Sequence, residues 1–366
     1  MDKQYRVGIV GCGGMGRSHA QAFADLEETV VVAASDIDAA AAQALAEAHS
    51  IPALYDDYRE MLEKEDLDIV SVPTWQGVRA EITVAAARSG VKAVIGEKPM
   101  ADCLGGADDM IEACDRHGVK LAIGHHGRFT PTLNEIRRLV AEGAIGEPTM
   151  LYHRAKPNAG LLNTGTHAVD SWRYMLGDPE TEWVIGNFSR TTDRWERRSP
   201  CEDQCMGLVC FAGGARAVYE GDLPEPAAGM PVISGTEGQI RTENQGPIPS
   251  GRIFLQRLNH ASWIEIEPSP VRTTQYRELI AWIEGKAADH RGNGLQGRAT
   301  LEILMGIFES LRTRNVVTMP LQTRDCPLDL MIADGSLPVL AEGRYDLRRP
   351  FPEELERRKK EAAAGS

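Results

Sequence analysis

The chain has 366 residues, enough for two domains with separate cores. It is 42% hydrophobic and 25% charged, ordinary for a globular protein, and its formal charge of −13 excludes nucleic acid or an anionic membrane as main partner. Seven scattered cysteines, no apolar run of transmembrane length and a start, Met1 to Gln4, without a signal-peptide core lead to the expectation of a cytoplasmic protein with free thiols.

Residues 5–10 read as a strand running into Gly11-Cys12-Gly13-Gly14-Met15-Gly16, a G-x-G-x-x-G loop that opens a helix over about 15–26. A second strand, 29–35, closes with Asp36 and Ile37. Each part has a mechanical purpose. Gly11 permits the tight turn, Gly13 lets backbone approach a pyrophosphate, and Gly16 lets helix and strand pack closely. The helix start offers free N–H groups to phosphate. Asp36 can accept from both ribose hydroxyls and would oppose a 2′-phosphate, so NAD is expected over NADP.

Alternation continues with helices at 39–49 and 58–65, a strand at 67–72 ending in Pro73-Thr74-Trp75, and a helix at 78–89. A strand at 91–96 ends in Glu97-Lys98-Pro99, followed by a helix at 106–117 and a strand at 119–123. This is the pattern of an α/β doubly wound parallel sheet, a Rossmann domain over 1–124. Ligands bind outside the carboxyl ends of such strands, which puts Pro73, Thr74, Trp75, Glu97 and Lys98 beside the cofactor. Trp75 serves equally well as core. Pro99 stiffens the turn that presents the Lys98 amine.

Beyond Gly124 the pattern changes. His125 and His126 are adjacent and diverge on a strand, so they predict a polar lining and no metal site. A helix capped by Thr130 or Thr132 runs to Glu142, a strand spans 149–154, and a loop over 155–162 carries Lys156 and Asn158. A helix over 163–176 would put Asn163 and His167 one turn apart on one face, with Thr164 or Thr166 as cap and His167 kept neutral by its first-turn position. Strands follow at 205–211 and 216–219 around Ala212-Gly213-Gly214, then at 231–234, 253–258 and 263–267; helices at 274–287 and 298–314 are expected to cover them. Residues 125–345 thus form an α+β domain with a large, mostly antiparallel open sheet, and 346–366 a charged tail. Cys201, Cys205 and Cys210 read as core or strand cysteines.

The chain resembles the Gfo/Idh/MocA family of NAD(P)-dependent oxidoreductases to about Leu340. The resemblance rests on Gly11–Gly16 with Asp36, Glu97-Lys98-Pro99, Gly124 to Phe129, Gly165-Thr166-His167 with Asp170, Glu202-Asp203 and Gly235-Thr236-Glu237-Gly238. It implies hydride transfer between a sugar, polyol or glycoside alcohol and NAD, and a homodimer or homotetramer built through the C-terminal sheet. It implies Lys98 contacting substrate hydroxyl and cofactor, and His167 moving the hydroxyl proton. Where the family usually has aspartate one turn earlier, this chain has Asn163, a departure that counts against inositol as substrate. Arg128, Tyr152, Arg154, Lys156, Asn158, Asn163, Thr164 and His167, with Lys98, are the expected substrate contacts. Two alternatives stand beside this: a redox-neutral NAD-dependent glycosidase, and a non-catalytic NAD-binding regulator, which retention of Lys98 and His167 disfavours.

Overall fold

The first sheet is built from β1 (Tyr5–Val10), β2 (Thr29–Ser35), β3 (Ala53–Tyr55), β4 (Ile69–Val72), β5 (Ala93–Gly96) and β6 (Lys120–Ile123) in a computed structural model that describes residues 4–156, 158–221, 232–271 and 273–356. All six strands run parallel in the order β3-β2-β1-β4-β5-β6. Helices α1 (Gly14–Ala24), α2 (Ala39–His49), α3 (Tyr58–Lys64), α4 (Gln76–Arg88) and α5 (Leu104–His117) make the crossovers. The strands are short and apolar because both faces are covered; every residue of β4 and β5 is buried. The order reverses between β1 and β4, which places the switch point at the loops after Val10 and Val72.

The chain forms two compact units, Met1–Phe129 with Val271–Ala299, and Thr130–Pro270 with Thr300–Ser366. The expected boundary after Gly124 therefore lies inside the first unit, which also takes back a later segment. The helix Gln275–Ile283, expected on the second sheet, belongs to the first: Tyr276, Leu279 and Ile280 join the core of Val7, Ile9, Phe23 and Leu45. An amphipathic period reveals an apolar face but not which sheet it covers.

The second unit carries β7 (Pro148–Arg154), β8 (Thr181–Ser189), β9 (Thr192–Glu196), β10 (Ser199–Pro200), β11 (Gln204–Phe211), β12 (Arg216–Gly221), β13 (Ile233–Gly235), β14 (Gly238–Asn244), β15 (Ser250–Arg257), β16 (Ile264–Ile266), β17 (Val317–Thr318) and β18 (Ala341–Asp346). Nine of these form one sheet, β16-β15-β14-β13-β7-β12-β11-β8-β17, in which only β7 and β12 are parallel neighbours. Gly186 and Gly207 have no side chain because Ile307 of the helix Gly294–Thr313 lies against them. The opposite face stays open, with Ile185 and Met206 exposed.

A small sheet, β10-β9-β18, was not expected. Its strand β18 and the residues after it overturn the expected free tail over 346–356. Asp346, Phe351 and Glu354 are buried, and Asp346 accepts N–H bonds from Arg197, Arg198, Arg348 and Arg349. Residues 357–366 lie outside the described residues, as does Pro231 of an expected strand. No described helix is long and apolar enough to cross a membrane.

Candidate active site

The glycine loop meets each demand of a pyrophosphate cradle. Gly11 sits at φ +103°, where other residues are strained, and a Cβ there would press on Pro73. A Cβ on Gly16 would lie 2.1 Å from the Gly11 carbonyl oxygen, so helix and loop touch through backbone alone. A Cβ on Gly13 would meet nothing within 4 Å, which leaves open space before α1. The helix start has no side-chain cap, so its N–H groups stay available to an anion. Met15 is partly exposed beside Gly14, while the Cys12 side chain turns into the core. Burial, then the Asp36 charge, push the Cys12 thiol up to about 12, so it stays protonated, with Sγ 3.6 Å from the Ser35 carbonyl oxygen that accepts from it.

Asp36, half-buried at the end of β2, accepts from the backbone N–H of Cys12 at 2.6 Å and of Asp38 at 2.9 Å. Lone pairs remain for ribose hydroxyls. Ile37 is 96% exposed and Asp38 caps α2, so a 2′-phosphate here would face two carboxylates. Thr74 lies across from Gly11, and its hydroxyl is buried with no hydrogen-bond partner among the described residues. An orphaned hydroxyl at the switch point fits a cofactor contact. Trp75, half-buried, precedes the first residue of α4.

Arg79 belongs to no sequence motif, yet it organises this edge. It is buried, and its guanidinium donates to the carbonyls of Thr74 and Pro99, tying the loops after β4 and β5 together. Glu97 is nearly inaccessible. Burial pushes its carboxyl up, but the His19 hydrogen bond and the charges of His19, Lys98 and Arg79 outweigh this and hold it at about 2. His19 of α1 reaches Glu97 at 3.3 Å and the Ser71 hydroxyl at 2.7 Å. Glu97 accepts in turn from the Lys98 N–H at 3.2 Å. Lys98, half-buried, precedes a cis peptide bond to Pro99.

Arg128 is a correction. It is wholly buried, and its Nη1 donates to the Arg291 carbonyl at 2.9 Å, so it pins the returning segment and is not presented to substrate.

In the second unit, Asn163 and Thr164 do not open the α-helix as expected. They lie in a π-helical turn, Leu161–Gly165, that leads into the helix Thr166–Met175. Neither Thr164 nor Thr166 caps it. The start is held instead by two buried carboxylates: Glu196 accepts from Gly160 N at 3.1 Å and Glu202 from Leu161 N at 2.6 Å. Negative charge at a helix start is favourable. His167 is the second residue of the helix Thr166–Met175 and so lies in its first turn, as expected. Burial pushes Glu202 up to about 7, against the opposing pull of the Leu161 N–H and Arg194; Glu196 adds to the rise. Asn163 donates from its amide nitrogen to Glu196 at 2.7 Å.

Glu196 ends β9 and enters a two-residue turn, Arg197-Arg198, with both φ angles positive, at 53° and 66°. Left-handed backbone costs about 1–2 kcal/mol for each such residue. The Asp346 carboxylate offsets this by accepting both N–H groups, at 3.1 and 2.8 Å. Burial raises the Asp346 carboxyl, and these backbone donors more than reverse the shift.

Tyr152 and Arg154 share Glu220, with the Arg154 Nε at 3.1 Å. Burial alone pushes His153 between them down to about 4 and keeps it neutral. Lys156 and Asn158 are exposed, and with Arg154, Thr164, Arg241 and Arg348 they line a groove of about 860 Å³. Asp170, part of the sequence motif, is structural: it accepts from Thr300 at 3.2 Å. Among the described residues no group of three or more His, Cys, Asp or Glu could hold a metal.

Residues 5–125 match the model of the Gfo/Idh/MocA oxidoreductase family, NAD-binding Rossmann fold. An uncharacterized oxidoreductase, YrbE, of Bacillus subtilis (strain 168) is 30% identical over 262 residues, 68% of this chain and 76% of that protein. The chain belongs to the Gfo/Idh/MocA family. D-apiose dehydrogenase of Paraburkholderia graminis is 34% identical over 260 residues, 65% of this chain and 68% of that protein. The fold of this Gfo/Idh/MocA chain is shared with the WlbA dehydrogenase of Bordetella pertussis, solved with NADH and UDP-GlcNAcA, at a TM-score of 0.72 and 23% identity over 87% of this chain and all of that one.

Proposed function

We propose that this chain is an NAD-dependent dehydrogenase of a secondary alcohol in a sugar or polyol, with Lys98, His167 and Asn163 as its working residues. The observation that carries this is Lys98, held by buried Glu97 at the carboxyl end of β5, two strands from the glycine loop. NAD, along residues 11–16 and Asp36, supplies the hydride acceptor. His167 takes the hydroxyl proton as general base. Lys98 stabilises the alkoxide as the carbon–hydrogen bond breaks. Tyr152, Arg154, Lys156, Asn158 and Thr164 contact the sugar. Relatives named as dehydrogenases favour net hydride transfer over redox-neutral glycoside cleavage.

Purified protein with NAD or NADP and a panel of sugars and polyols tests this. NADH should form, NAD should bind at least about tenfold more tightly than NADP, and Lys98→Ala and His167→Ala should each cut turnover by about 100-fold or more with NAD affinity kept. Near-normal turnover in either variant refutes the assignment.

Seven free cysteines, six of them buried, support a cytoplasmic location. The open face of the large sheet supports a homo-oligomer. Ile185, Leu208 and Val218 form one cross-strand row there, flanked by exposed Met206 and Met150. Ile185→Glu with Met206→Glu should shift the mass measured by light scattering to that of a monomer; an unchanged mass refutes this interface.

A further inference from the structure

We propose that the C-terminal segment is a built part of the active site, in which Arg348 and Glu196 together position the turn that carries Asn163 and leads to His167. This rests on the catalytic role given above to His167.

Glu196 is 4% exposed and serves three donors, two from the turn at Gly160 and Asn163 and one from the C-terminal segment. Oε1 accepts from Asn163 Nδ2 at 2.7 Å and Arg348 Nε at 2.9 Å; Oε2 accepts from Gly160 N at 3.1 Å. Arg348 Nη2 also donates to the Asn158 carbonyl at 3.0 Å. One guanidinium therefore grips the loop before the turn and the carboxylate beneath it. The planar fork of donors suits a guanidinium to both at once. The fit leaves little slack: a Cβ on Gly160 would lie 2.5 Å from both Glu196 Oε2 and Cys201 Sγ.

The segment also fixes where Glu196 stands. Its strand β18 pairs with β9, and Asp346 holds the left-handed Arg197-Arg198 turn that follows Glu196. Asp346 and Arg348 lie past Leu340, where the sequence resemblance ends. A part of the chain outside the resemblance thus supports Asn163, the residue at which the sequence departs from the inositol dehydrogenase pattern. Arg348 remains 45% exposed and shares the groove with Lys156, Asn158 and Thr164, so sugar bound there would meet it directly.

The charged and titratable groups around Glu196 are Arg348, Glu202, Arg194, Cys201 and Tyr219. Removing the Arg348 guanidinium takes away the Nε donor to Glu196 and the Nη2 donor to the Asn158 carbonyl, which frees the carboxylate that the Asn163 amide is aligned on. The positioning role therefore shows in the sugar KM and leaves the NAD KM alone, a split that simple fold support would not give.

The test is steady-state kinetics of Arg348→Ala, Asp346→Ala and His167→Ala with the best sugar found in the panel. Arg348→Ala should raise the sugar KM by about tenfold with the NAD KM unchanged. Asp346→Ala should act in the same direction. Adding Arg197→Asn and Arg198→Gly should restore it, since Asn-Gly adopts this turn unaided. An Arg348→Ala enzyme with wild-type sugar KM, while His167→Ala is inactive, overturns the clasp alone. A loss that raises the NAD KM as much as the sugar KM overturns it too. Full turnover in His167→Ala overturns both the clasp and the reading beneath it.

Discussion

Asn163→Asp is the substitution most at odds with its surroundings, although aspartate is what the family usually carries there. The Asn163 amide nitrogen lies 2.7 Å from a Glu196 carboxylate that is nearly inaccessible to water. Aspartate cannot donate, so it loses a hydrogen bond to a charged group and adds a like charge. The charge centres would lie about 4 Å apart, where two unit charges at an effective dielectric of about 20 interact by about 4 kcal/mol. A shared proton limits this cost. Protonating one carboxyl costs about 1.4 kcal/mol for each pH unit above its ordinary value near 4. Near pH 5 the repulsive cost is thus capped at about 1.4 kcal/mol, and near pH 8 it is not capped. The pair binds a proton more tightly when folded than when unfolded, so stability falls as pH rises. Urea unfolding should find Asn163→Asp less stable than Asn163→Ala by about 2 kcal/mol or more near pH 8, with the gap closing toward pH 5. The alanine variant removes the same hydrogen bond without the charge, which isolates the repulsion. Equal stability of the two variants at high pH would refute the pairing with Glu196. The aspartate variant should also lose turnover in parallel, because the turn that leads to His167 must move to separate the charges.

Three further predictions follow from single positions. Gly16→Ala should destabilise the fold by about 1–3 kcal/mol in denaturant titrations, because its Cβ meets the Gly11 carbonyl. Gly13→Ala should leave stability intact and weaken NAD binding by about tenfold or more by calorimetry, since only the space before α1 is filled. For Glu202, the folded carboxyl titrates near 7 against an ordinary 4.5, so its proton is held more tightly in the folded state. Wild-type stability should fall as pH rises from about 4.5 to about 7, by of order 2–3 kcal/mol, and level off above. Glu202→Gln keeps a carbonyl for Leu161 N and should flatten that slope in unfolding measured across pH; an unchanged slope means another group is responsible.

The cofactor half was legible in the sequence because its information is local. Residues 5–36 hold strand, glycine loop, helix, strand and acid within one βαβ unit, and Gly16 answers to Gly11 in the same loop. Strand ends at Val72 and Gly96 follow from apolar runs that stop, and the parallel topology then puts Thr74 and Lys98 at one edge. What escaped were pairings across long stretches of chain. No pattern in 274–287 says that Tyr276 packs on Phe23, and none in Arg128 says that Arg291 lies opposite. Asn163 and His167 stand out in the sequence as candidates, but their setting does not. A π-helical turn replaced the expected α-helix start because Glu196 and Glu202, more than thirty residues later, supply the caps that Thr164 and Thr166 do not. Arg348 lies further still, in a segment whose charges read as a solvated tail. Sequence determines which residues can donate, accept or carry charge. Tertiary structure decided which of these face one another out of water, because a buried carboxylate such as Glu196 gathers every donor within reach, whatever its distance along the chain.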